Sequence, residues 1–175
     1  MITITEALQE VKTLIKRIEK KQEFIRGFLW RQNHLRDPHE KDGGSRDLIK
    51  KERQAIKDLE NNIIDLRRGI ATANAQNNIT VCGETMSIAD WIVWRREIAT
   101  GRREFLKQLQ SRIQNARLQA LHNGVSVVDT DSKVSVSELI INIDEKELAD
   151  ELEKIVEIMS TLDGQLSLKN STVKI

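Results

Sequence analysis

The sequence holds no tyrosine, a single proline (Pro38) and a single cysteine (Cys82), and aromatics make up 3% of it. One cysteine cannot form an intrachain disulfide, so a disulfide framework is excluded. The scarcity of aromatics argues against a thick globular core, and the near absence of proline favours long uninterrupted helices. No apolar run approaches the ~18 residues that a membrane span needs. The first residues, Met1 to Glu6, carry neither a basic nor an apolar stretch of the kind that opens a secretion signal. The expected location is therefore cytoplasmic or within a virion.

What the sequence has instead is a 4-3 spacing of apolar residues, the stripe a helix needs to pack lengthwise on another helix. A first segment reads Ile4, Leu8, Val11, Ile15, Ile18, Gln22, Ile25, Leu29, Gln32. A second reads Ile49, Glu52, Ile56, Leu59, Ile63, Leu66, Ile70, Ala73, and a last reads Leu148, Leu152, Ile155, Met159, Leu162, Leu166. Gln22, Gln32 and Glu52 sit on these seams, where polar groups fix register at a cost in stability. Leu14, Phe24, Phe28 and Trp30 lie beside the first seam and widen its apolar face, which points to a third helix or a second copy as cover.

Local signals set the expected boundaries. Thr3 with Glu6 has capping-box spacing, and the first helix is expected from about Thr5 to Leu35, ending before Asp37-Pro38. Ser45 is the expected N-cap of a second helix reaching about Ala75. A short polar loop between two long helices implies an antiparallel hairpin with arms of roughly 45 Å. Ile79–Val81 and Thr85-Met86 around Cys82-Gly83-Glu84 read as a small β-hairpin. Ser87 with Asp90 starts a third helix that Asn123-Gly124 stops. Val125–Val128 and Val134–Val136 read as a second hairpin or an extended arm, and Leu139–Ile143 is open between strand and helix lead-in. Asp144 with Glu147 begins a last helix, which the stripe carries through Gly164 to about Lys169. The expected fold is mainly α: a long antiparallel helical hairpin, a third long helix and a C-terminal helix, with a short β-hairpin excursion. The expected division is residues 1–124, 125–143 and 144–175.

The net charge of +1 is unevenly spread. Residues 1–36 carry +4, residues 37–90 carry −2, residues 91–123 carry +5 and residues 124–175 carry −6. A basic front and an acidic tail suggest self-complementary contact, within one copy or between copies. Ordinary solvated helix faces are the plainer alternative.

Little in the sequence marks chemistry. His34 and His39 near Asp37, Glu40 and Asp42 match no ligand spacing, so no metal is expected. His122 reads as a cation at a helix C-terminus. Cys82 has no base or oxyanion site marked beside it and reads as a small, partly buried residue. Gly43-Gly44 lacks the Lys-Ser/Thr of a phosphate loop. No catalytic residue and no cofactor is assigned, and the chain is read as a non-enzyme. The constellation that stands out is Trp91, Trp94, Arg95, Arg96, Arg102 and Arg103 on the third helix, with Lys107 and Arg112. Interleaved Arg and Trp suit a protein interface, a solvated face, or nucleic acid through phosphates and stacking. Phe28 and Trp30 join it as candidate interface residues. A basic helix bearing Phe24, Phe28, Leu29 and Trp30 also leaves a membrane-active role as a lesser alternative.

Several motifs carry a family resemblance. Ala73-Asn74, the run Thr80-Val81-Cys82-Gly83-Glu84-Thr85-Met86-Ser87-Ile88-Ala89-Asp90, and Arg95-Arg96-Glu97-Ile98 resemble a pattern of small bacterial and phage proteins described as septicolysin-like. The closing stretch Leu162 to Ile175 is similar to that family's end, with Ser171 where an aromatic is usual. Cys82 and Trp91 also depart from the pattern. The resemblance implies a helical, oligomerising protein with no established activity. Together with the wide apolar face it makes a homo-oligomer the expected partner, with other virion or cellular proteins beside it, while the basic face of the third helix gives nucleic acid as the alternative.

Overall fold

The computed structural model describes residues 1–128 and 138–175. The chain is mainly α, with four long helices and a short antiparallel β-hairpin. Its elements are α1 (Ile4–Gly27), α2 (Ser45–Gln76), β1 (Asn78–Val81), β2 (Glu84–Ser87), α3 (Ile88–Val93), a π-helical segment Trp94–Ala99, α4 (Thr100–His122), β3 (Ser126–Val128), β4 (Glu138–Ile140) and α5 (Glu145–Thr172). Among the described residues no helix is long and apolar enough to cross a membrane. Packing groups the chain into two compact units: Met1–Asn77 with Ser167–Ile175, and Asn78–Leu166. These follow contact rather than the charge and turn signals behind the three stretches expected from sequence.

In the first unit α1 and α2 form the expected antiparallel hairpin, the start of one packing on the end of the other through Ile4, Ala7, Ile70 and Ala73. Thr3 caps α1 reciprocally: its Oγ1 accepts from the Glu6 N–H at 3.2 Å, and its own N–H donates to Glu6 Oε2 at 2.7 Å. The α2 stripe has the expected phase, half-buried from Ile49 to Leu66 and buried at Ile70 and Ala73, but the α1 seam has a different one. It runs Ile4, Ala7, Val11, Leu14, Ile18, Lys21, Ile25, Phe28, while Ile15, Gln22 and Leu29 face solvent. Leu14 and Phe28 therefore belong to the seam and Phe24 packs beside it on Phe28 and His39, so of the four residues that widened the face Trp30 alone stays exposed. The polar seam position is Lys21, not Gln22, and its Nζ meets Glu52 Oε2 at 2.6 Å. Burying Ile4 or Val11 contributes about 1.5–3 kcal/mol each.

α1 also ends earlier than expected, at Gly27. A glycine there weakens a continuing helix by about 1 kcal/mol, and Phe24, Phe28 and His39 cluster, with Phe28 and His39 edge to face at 4.5 Å. Residues 28–44 are thus a long connection holding one 3-10 turn (Glu40–Asp42). The tail closes the unit: the Ile4 N–H donates to Val173 O at 3.0 Å, the Ile175 N–H donates to Ile2 O at 2.8 Å, and the Ile175 side chain lies on Gly69.

In the second unit β1 and β2 pair antiparallel from Asn78↔Ser87 to Val81↔Glu84. Two residues with positive φ, Cys82 and Gly83, turn between them, the backbone that a tight hairpin requires. Cys82 is exposed at that turn, not partly buried as expected. Ile79 and Val81 point inward onto Ile88, Trp91, Ile158 and Leu162. Ser87 caps α3 as its spacing predicts, accepting from the Asp90 N–H at 3.1 Å. A second cluster, Leu106 with Leu148 and Ile155, joins α4 to α5. Leu106 and Ala120 are buried on α4, while Phe105 and Leu121, expected on its stripe, are exposed. α5 continues through Gly164 to Thr172, as its stripe predicts.

β3 pairs in parallel with β4, Ser126↔Glu138 to Val128↔Ile140. Part of the stretch left open between strand and helix lead-in is therefore strand. The second arm expected at Val134–Val136 lies outside the described residues.

Trp91 is wholly buried, and its indole Nε1 donates to Ile79 O at 3.0 Å. Trp91→Ala is expected to cost about 3–5 kcal/mol, from the cavity it leaves and the lost indole hydrogen bond. Denaturant unfolding measures it, and a loss below about 1 kcal/mol contradicts this packing.

Candidate interaction surfaces

The constellation singled out on the third predicted helix divides once its surroundings are known. Trp91 is core and presents no ring face to a ligand. Trp94 is half-buried and meets Trp91 edge to face at 5.4 Å. The π-helical segment that begins at Trp94 carries Arg95 and Arg96. The Arg95 guanidinium holds Asp163 of α5 with two bonds, Nε to Oδ1 at 2.8 Å and Nη2 to Oδ2 at 2.9 Å. Arg96 pairs with its neighbour Glu97 at 2.7 Å. Arg102 pairs with Glu151, and Arg117 with Glu145. Arg103 is half-buried, and its Nε has no hydrogen-bond partner among the described residues.

The self-complementarity expected from the charge map is thus realised within one copy, where α5 carboxylates answer arginines at 95, 102 and 117. These pairs are about half exposed, so each contributes only about 0–1 kcal/mol. Their larger effect is to lower the positive potential of the face. Exchanging Glu151 for Gln and Asp163 for Asn together is expected to cost less than about 2 kcal/mol in stability. The same change is expected to strengthen low-salt binding to heparin, measured by elution from a heparin column. Unchanged elution contradicts the neutralising role.

Phe28 and Trp30 separate in the same way. Phe28 is half-buried against Phe24 and His39, whereas Trp30 is 78% exposed in the connection after α1. Leu29 and Leu35, in the same connection, are 67% and 52% exposed.

That connection is organised by Asp37, not by the Ser45 side chain expected to cap α2. Asp37 Oδ2 accepts from the Ser45 N–H at 2.9 Å, and Oδ1 accepts from the Ser45 hydroxyl at 2.6 Å and the His39 N–H at 2.9 Å. The Ser45 hydroxyl first, then these backbone donors, hold the Asp37 carboxyl down at about 2. A carboxyl lowered on folding stabilises above its unfolded value, about 4, and that contribution is lost as pH falls toward 2. The Asp37→Asn variant is expected to be less stable than the parent at neutral pH. The difference is expected to shrink between pH 4 and 2, followed by circular dichroism at stepped pH; a constant difference contradicts it. His39 stacks in the aromatic cluster, and among the described residues no three His, Cys, Asp or Glu lie close enough to hold a metal ion.

Sequence reading missed one surface. Arg46, Lys50, Arg53 and Lys57 recur at i, i+4, i+7 and i+11 on α2, which places them on one face beside the seam. All four are exposed, and among the described residues none lies in an ion pair. Their spacing is visible in the sequence, but the −2 balance of residues 37–90 hides it. They line one open groove with Asp47, Gln54 and Glu60. No family model, curated protein or solved structure matches the chain.

Proposed function

We propose that this chain is a non-enzymatic structural protein that self-associates through surfaces its own helices leave uncovered. A virion component, such as a capsid-associated or decoration subunit, is the concrete form. The observation that carries the reading is Trp30, 78% exposed between Leu29 and Leu35 on the long connection of the first unit. Tryptophan is among the residue types most enriched at interface hot spots. Clustered exposed apolar groups mark interaction sites more often than a lone one does. The resemblance to septicolysin-like helical proteins supports the same reading. The nucleic-acid alternative on the third predicted helix has less behind it, because Trp91 is buried and Arg95 and Arg102 already hold carboxylates.

Light scattering across a wide range of concentration tests it. The expected mass rises above the 20.1 kDa of one chain as concentration increases. Trp30→Ser with Leu29→Ser is expected to weaken that association by about tenfold or more, without changing helicity. A strict monomer at every concentration overturns the proposal.

A further inference from the structure

The two compact units carry opposite charge. The first holds 18 basic and 12 acidic side chains, a net +6, and the second holds 10 basic and 15 acidic, a net −5. One local feature of the first unit is the α2 stripe of Arg46, Lys50, Arg53 and Lys57, which runs roughly 16 Å along one face. Ile64, one heptad beyond Lys57, continues that face and is 54% exposed.

The second unit has a counterpart on α5. Asp150, Glu153 and Glu157 recur at i, i+3 and i+7, diametrically across the helix from the Leu148–Ile155–Leu162 seam, with Glu147 a turn earlier. All four are exposed; Asp150 to Glu157 run roughly 10 Å, with Glu147 on the flank of that stripe. They stand outside the ion pairs that occupy Glu145, Glu151 and Asp163. Lys146 and Lys154 lie along the same stretch and trim its charge without reversing it. One chain therefore carries a basic stripe and a shorter acidic one, neither in an ion pair within the described residues of its own unit.

We infer that the α2 basic stripe of one copy docks on the α5 acidic stripe of a second copy, head to tail. This rests on the self-association proposed above and adds its polarity. Two different surfaces meet, so a docked pair retains one free stripe of each sign, one on each copy, and copies add in a row or close into a ring. Exposed charges supply little net attraction singly. Across an interface they set encounter rate, register and choice of partner, while apolar contacts such as those of Trp30 supply affinity.

The test is sedimentation of the full chain in low and high salt, beside two double variants, Lys50→Glu with Arg53→Glu and Asp150→Lys with Glu153→Lys. Every altered side chain is exposed, and circular dichroism checks that helicity is unchanged. The unmodified chain is expected to associate in low salt and to lose about tenfold or more in association constant in high salt. Each double variant alone is expected to be monomeric, and an equimolar mixture is expected to associate again, because the reversed stripes then match. A mixture that stays monomeric overturns the inference. Association that ignores both reversals also overturns it, leaving self-association standing. A chain that is monomeric throughout defeats self-association itself. Binding of random-sequence duplex DNA that Lys50→Glu with Arg53→Glu abolishes, with no self-association, overturns it in favour of nucleic acid on the α2 stripe.

Discussion

The three buried apolar clusters among the described residues all take in the last helix or the tail that follows it. Leu148 and Ile155 complete the cluster around Leu106, and Ile158 and Leu162 complete the one around Trp91. Val173 and Ile175 pack on the cluster of Ile4, Ala7, Ile70 and Ala73. A helix of 28 residues with one apolar stripe has to bury that stripe, and the other elements are arranged so that it can. Gly164 sits inside it at a cost of about 1 kcal/mol, which the flanking Leu162 and Leu166 offset by burial.

The parts legible in the sequence were those decided locally or by strong periodicity. The caps at Thr3 and Ser87 need only residues three apart. The α2 and α5 stripes are long enough to leave one solution. The α1 seam was misphased because Leu8, Ile15 and Leu29 outweigh Ala7 and Lys21 on any hydrophobicity count. Lys21 earns its inward place only through Glu52, 31 residues away. Asp37 as the cap of α2 is likewise a contact across eight residues, beyond any capping motif.

The arginine–tryptophan constellation shows the same limit on the functional side. Sequence places Trp91 and Arg95 four apart on one helix face, but their fates are set by the Ile79 carbonyl and the Asp163 carboxylate. The charge map left self-complementary contact within one copy open beside contact between copies and plain solvated faces, and the pairs of Arg95, Arg102 and Arg117 with α5 carboxylates are the within-copy form. The map could not say which charges would be left over. With Arg95, Arg102 and Arg117 paired, the charges outside ion pairs among the described residues include the cations at Arg46, Lys50, Arg53 and Lys57 and the carboxylates at Asp150, Glu153 and Glu157. Burial of the seams supplies the stability, and the remaining charge is free to select a partner.

Zero-length cross-linking of an equal mixture of isotopically light and heavy chains tests the head-to-tail assembly most directly. The account predicts linkages of Lys50 or Lys57 to Asp150, Glu153 or Glu157 that join a light chain to a heavy one. Finding those linkages only within chains of one isotope, or finding none between copies, would contradict it.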